Sequence, residues 1–90
     1  MYKVEYSKNT RLNLKEIFDF ISDDNYLEAI KVVNSIKNTV NFLKDFPLLW
    51  TNYLDSTRRL VNSEYKINIF YKINKKKKTI IITSIFKNRY

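Results

Sequence analysis

The sequence predicts a single α+β domain spanning residues 1–90, with elements in the order β-α-α-β-β-β. Three observations carry this: an opening stretch that alternates with period two, two successive stretches of helical period, and a closing third that returns to alternation. Ninety residues can cover one two-layer core and no more, and a 44% apolar content is enough to build it.

Tyr2, Val4 and Tyr6 alternate with Lys3 and Glu5, the signature of a strand with one buried face. Ser7 then supplies a capping hydroxyl, and Leu14, Ile17, Phe18 and Ile21 form one apolar stripe of a helix over roughly residues 8–22. Ser22-Asp23-Asp24-Asn25 is a short turn that doubles as the start of a second helix. There Tyr26, Ala29, Val33, Ile36, Val40 and Leu43 repeat at steps of three and four, with Ile30 beside them. Phe46-Pro47 stops this helix, because proline lacks an amide hydrogen and restricts the residue before it. Leu48 to Tyr53 reads as an ordered aromatic loop, with Trp50 and Tyr53 tucked against the domain. Thr57 to Val61 is a strand that turns at Asn62-Ser63-Glu64. Tyr65, Ile67, Ile69, Tyr71 and Ile73 alternate with Lys66, Asn68, Phe70 and Lys72 to give the clearest strand of the chain. Lys75 to Lys78 form a hairpin tip, and Thr79 to Phe86, with Ile80-Ile81-Ile82 at its centre, suits the middle of a sheet.

Absent residue types exclude several chemistries. Without glycine there is no phosphate-cradling loop, no dinucleotide-binding turn and no nucleophile elbow, so no nucleotide cofactor is expected. Without cysteine or histidine there is no thiol nucleophile, no structural zinc site and no imidazole base. No metal is expected. The first residues do not form a secretion signal and no apolar run spans a bilayer, so the expected location is the cytoplasm, away from membranes.

Charge is distributed unevenly. Residues 1–55 hold 7 Lys and Arg against 8 Asp and Glu, whereas residues 56–90 hold 10 against Glu64 alone. The whole excess of the +8 net charge therefore lies in the closing third, which favours a polyanion or an acidic protein as partner.

The opening strand-helix-helix, with Tyr2 to Ser7 followed by Leu14 to Ile21, resembles the RelE/ParE superfamily of bacterial toxins from type II toxin-antitoxin modules. So do Leu43-Lys44-Asp45-Phe46-Pro47, Arg58-Arg59-Leu60-Val61, Tyr65-Lys66-Ile67, Phe70-Tyr71-Lys72-Ile73 and the closing Ile81 to Arg89. The resemblance covers the whole chain. It implies a helical hairpin packed on one face of a largely antiparallel four-stranded sheet. A cognate acidic antitoxin that wraps the toxin is implied as well, together with a role in growth inhibition and plasmid stabilization.

Two activities are known in this superfamily, and the basic character of the open sheet face and of the C-terminal end favours the first, ribosome-dependent cleavage of messenger RNA. RelE-like members cut messenger RNA on the ribosome, an endoribonuclease reaction that needs cations for the developing phosphorane and groups that exchange protons. The resemblance then gives Lys66, Arg89 and Tyr90 catalytic roles, with Glu64 a candidate base. Lys66 stands where the RelE pattern has arginine, which keeps charge but loses the bidentate fork. RNA or target contacts fall to Arg58, Arg59, Lys87, Lys75, Lys76, Lys77 and Lys78, although Arg58 and Arg59 must point to opposite faces of their strand. The alternative is a ParE-like inhibitor of DNA gyrase, which the long second helix and its short connection resemble. A third reading is a binding module that keeps only affinity for the antitoxin.

Overall fold

The computed structural model describes residues 1–48, 56–87 and the backbone of 52–54. β1 (Lys3–Tyr6) leads into α1 (Lys8–Ser22) and α2 (Tyr26–Phe42), followed by β2 (Asn52–Leu54), β3 (Thr57–Asn62), β4 (Ile67–Asn74) and β5 (Thr79–Lys87). The sheet order is β1-β5-β4-β3-β2, parallel between β1 and β5 and antiparallel elsewhere. The expected β-α-α-β-β-β architecture is present, and Asn52–Leu54 adds a three-residue strand at one edge where the sequence reads as loop. Trp50 lies outside the described residues, and the side chain of Tyr53 is not described either.

Local chemistry explains the helix boundaries. Ser7 caps α1 by accepting from the Thr10 N–H at 3.0 Å. Asn25 caps α2 by accepting from the Glu28 N–H at 3.0 Å. α2 ends at Phe42, earlier than Phe46-Pro47, because residues 43–45 already turn. Its buried stripe is Ala29, Val32, Ile36, Val40 and Leu43. The step of three or four after Ala29 fits Val32 and Val33 alike; Val32 takes the core position and Val33 is half-buried. Tyr26 is mostly exposed, its ring meeting Phe18 edge-on at 5.8 Å.

One sheet face packs under the helices. Val32, Ile36, Val40 and Leu43 meet Leu60, Ile67, Ile69, Tyr71, Ile80, Ile82 and Ile85, all buried, with Leu14, Ile17 and Ile21 of α1 against them. A β-bulge explains why β5 reads as continuous apolar sequence. Phe70 faces Ser84 and Tyr71 faces Ile82, so Thr83 is the extra residue, and its hydroxyl donates to the Phe70 carbonyl at 3.2 Å. The phase therefore slips, and Ile80, Ile82 and Ile85 all face the core.

β1 ends at Tyr6 opposite Ile82, which leaves the rest of the β5 edge to other partners. α1 supplies them. Asn9 donates to the Thr83 carbonyl at 3.1 Å, and Asn13 accepts from the Ile85 N–H at 3.0 Å. Thr10 is fully buried because its hydroxyl donates to the Ile82 carbonyl at 2.7 Å.

Tyr71 is buried on β4, and its hydroxyl donates to the Pro47 carbonyl at 3.2 Å. Burial pushes its pKa up to about 12, against the opposing pull of the Arg58 charge. A tyrosine whose folded pKa lies above its unfolded value stabilises the fold below the unfolded value, near 10, and loses that contribution as pH rises through 12. Urea midpoints should accordingly fall more steeply between pH 10 and 12 in the parent chain than in Tyr71→Phe. Equal slopes would remove Tyr71 as the cause.

Candidate functional site

The strand register decides which basic residues stand together. β3, β4 and β5 run the length of the sheet, and the Asn62–Ile67 pair closes one end while Asn74–Thr79 closes the other. Seven residue steps along β4 separate these ends by roughly 20 Å. Lys66 and Lys87 share the first end, since Lys87 pairs with Ile67. Lys75, Lys76, Lys77 and Lys78 form the exposed tip at the second. Arg89 and Tyr90 lie outside the described residues. The basic closing third is thus spread over two sheet ends and the face between them.

Arg58 and Arg59 divide as strand alternation requires. Arg58 is half-buried on the helix side with Leu60 and Asn62, opposite Tyr71. Arg59 is exposed on the other face, opposite Phe70. That open face is mixed: Arg59, Lys72, Asn68 and Ser84 stand among Val61, Phe70, Ile81 and Phe86. The rings of Phe70 and Phe86 meet edge-on at 6.0 Å.

Lys66 is not part of a strand. β4 begins at Ile67, two residues later than alternation predicts, and residues 63–66 form the turn. Lys66 has φ 56°, in the left-handed region. Glu64 in the same turn is committed elsewhere: its carboxylate accepts from the Ser35 hydroxyl of α2 at 2.8 Å.

A polar network beneath that turn escaped the sequence reading. Asn62 is almost fully buried, and its amide donates to the Ser35 and Thr39 hydroxyls at 2.9 Å each. Its side-chain oxygen accepts from the Tyr65 N–H at 3.0 Å. Thr39 in turn donates to the Ser35 carbonyl at 2.9 Å. Every hydrogen-bonding group of the buried amide is therefore used. The one available signal is a spacing: Asn62…Lys66 is repeated as Asn74…Lys78 at the other hairpin.

Ser35, Thr39 and Glu64 also line a cleft of about 680 Å³ between α2 and β3, together with Lys31, Asn38, Phe42, Val61 and Tyr65 among others. Desolvation, then the carboxylates of Glu28 and Glu64, push the Tyr65 hydroxyl above its usual pKa, so it stays a neutral phenol at physiological pH. A second cleft of about 670 Å³ lies between α1 and the end of β5, where Phe20 and Phe86 are exposed above Ile17, Ile21 and Ile85. Among the described residues, no helix is long and apolar enough to cross a membrane.

The family model described as "ParE toxin of type II toxin-antitoxin system, parDE" matches residues 4–89. The chain belongs to this family. It is accordingly a toxin of a type II toxin-antitoxin system. Solved structures agree on the fold of this ParE-family toxin. A chain of the chromosomal ParDE system of P. aeruginosa superposes with TM-score 0.84 at 17% identity, covering 99% of this chain and 98% of that one. The E. coli RelBE toxin-antitoxin complex gives 0.73 at 9%, with both chains fully covered. The RelBE2 complex of Mycobacterium tuberculosis gives 0.75 at 13%, covering 97% and 98%. No curated protein matches the sequence.

Proposed function

We propose that this toxin stops growth by binding its target rather than by cutting RNA, that the target is DNA gyrase, and that an acidic antitoxin neutralises it. The observation that carries this reading is the commitment of Glu64. The carboxylate nearest Lys66 in sequence is drawn toward α2, where it accepts from the Ser35 hydroxyl, and this supports a structural role for it over that of a base beside the cations. The neutral, upward-shifted phenol of Tyr65 in the same turn is no better a base. Membership of the ParE family and the chain's likeness to the ParDE structure support the same reading.

One observation favours the other branch. Arg59 and Lys72 stand among Phe70 and Phe86 on the open face, and interleaved cations and rings suit single-stranded RNA. In that reading Lys66, Arg89 and Tyr90 act on messenger RNA at the ribosome. A short pulse of expression in growing bacteria, with RNA 5′ ends mapped and the DNA-damage response followed, separates the two. Induction of the damage response with unaltered messages is the expected outcome. New 5′ ends inside translated codons would replace gyrase binding with cleavage.

A further inference from the structure

The two hairpin loops of the sheet share one construction. Each has four residues, 63–66 and 75–78, and each follows an asparagine whose side-chain oxygen accepts from the backbone N–H three residues on. Asn62 takes the Tyr65 N–H at 3.0 Å and Asn74 the Lys77 N–H at 3.1 Å. Each loop ends on a lysine in the left-handed region, Lys66 at φ 56° and Lys78 at φ 49°. Glycine occupies that region at lower cost because it has no Cβ to crowd the following carbonyl, and asparagine because its short amide can hydrogen-bond locally.

Alike in backbone, the loops differ in anchorage. Asn74 is exposed, whereas Asn62 is 4% exposed and its amide ties the loop to Ser35 and Thr39 of α2. The Glu64–Ser35 bond adds a second tie to the helix layer. A solubilising tip needs no such anchor. What the anchor fixes is one end of the sheet: the loop carries Lys66, Lys87 pairs with Ile67 on the helix side, and Val61 and Phe86, 38% and 54% exposed, lie at the same end of the open face. A sheet end that carries both cations and exposed apolar groups matches a protein surface that offers carboxylates around an apolar centre.

We propose that the 63–66 loop is the target-contacting edge of this toxin: Asn62 is the positioning residue that fixes the loop against α2, and Lys66 meets a carboxylate on a protein partner. The inference rests on the toxin reading above and holds whichever protein is the target.

The test compares Lys66→Gly, Lys66→Asn, Lys66→Arg and Lys78→Gly for melting temperature as purified chains and for growth inhibition on expression without antitoxin. Both glycine variants relieve the same backbone strain, so each should melt about 2–5 °C higher than the parent. Lys66→Gly and Lys66→Asn should lose about tenfold or more of the growth inhibition, Lys66→Arg should retain it, and the loss at Lys78→Gly should be far smaller. Activity that falls while stability rises cannot come from unfolding. Asn62→Asp keeps the acceptor for the Tyr65 N–H and loses the donors to α2. Its loss should not add to that of Lys66→Gly, since both act on one contact.

A Lys66→Gly chain as toxic as the parent overturns the proposal, as does an equal loss at Lys78→Gly, which would reduce the effect to bulk charge. Full additivity of the Asn62 and Lys66 changes overturns the positioning role. Binding of a short single-stranded RNA at physiological salt that Lys66→Gly abolishes would assign the edge to nucleic acid and overturn the protein partner. A parent chain that leaves growth unaffected overturns the toxin reading itself, before any variant is compared.

Discussion

Replacing Ile82 with alanine is expected to lower stability by about 3–4 kcal/mol, enough to unfold much of the toxin at growth temperature. Ile82 is fully buried at the centre of the sheet, paired with Tyr6 on one side and Tyr71 on the other. Removing three carbons there leaves a cavity between β5 and the helices, and the neighbouring Ile80, Ile69 and Ile36 are themselves fully buried and have little room to collapse into it. The carbonyl of Ile82 also accepts from the Thr10 hydroxyl and the Ser7 N–H, so movement of this strand disturbs the start of α1. For a domain of this size the loss corresponds to a fall in melting temperature of roughly 12–25 °C. Ile82→Val should cost only about 1 kcal/mol. Thermal unfolding of the three chains decides the matter. A drop at Ile82→Ala no larger than that at Ile82→Val would mean the core repacks freely.

Asn62→Ala is expected to have the second-largest effect, about 2–3 kcal/mol, although the residue is polar. Three hydrogen bonds go at once, those to Ser35, Thr39 and the Tyr65 N–H. The Tyr65 N–H loses its acceptor in a half-buried turn, and the Ser35 and Thr39 hydroxyls lose the donor they accept from. Ser35→Ala and Thr39→Val should each cost about 1 kcal/mol, because each removes one arm and leaves the amide other partners. Their effects combined with Asn62→Ala should fall short of the sum. Urea midpoints at unchanged m-value measure this. A full sum would show three independent bonds and no network.

Much of the fold was legible because it rests on periodicity. The stripe of α1, the alternation of β4 and the capping hydroxyl of Ser7 are local patterns that bind the chain whatever surrounds it. The departures arise where tertiary contacts choose between options of equal local merit. Val32 and Val33 satisfy the same helical spacing, and only the sheet below selects Val32. Tyr65 and Lys66 continue the alternation of β4, yet pairing begins at Ile67, since the four-residue turn that Asn62 holds ends there. β2 has only three residues and exists through pairing with β3.

The site was less legible than the fold. The sequence brings ten positive residues into the closing third, but strand register distributes them: Lys75 to Lys78 go to one end of the sheet, Lys66 and Lys87 to the other, and Arg58 to the helix side. Glu64 reads as a candidate base beside Lys66, while Ser35, 29 residues earlier, turns it toward α2. Nothing local to either residue foretells that bond. The repeated Asn-x-x-x-Lys spacing at 62–66 and 74–78 was the available sign that the two turns are built alike.

The most direct measurement is DNA supercoiling by purified gyrase in the presence of the purified toxin, with a ribosome-based translation mixture run in parallel. Lost supercoiling or gyrase trapped on cleaved DNA, with messenger RNA left whole, is the expected result. Unimpaired gyrase together with messages cut on the ribosome would contradict target binding as the means by which this toxin stops growth.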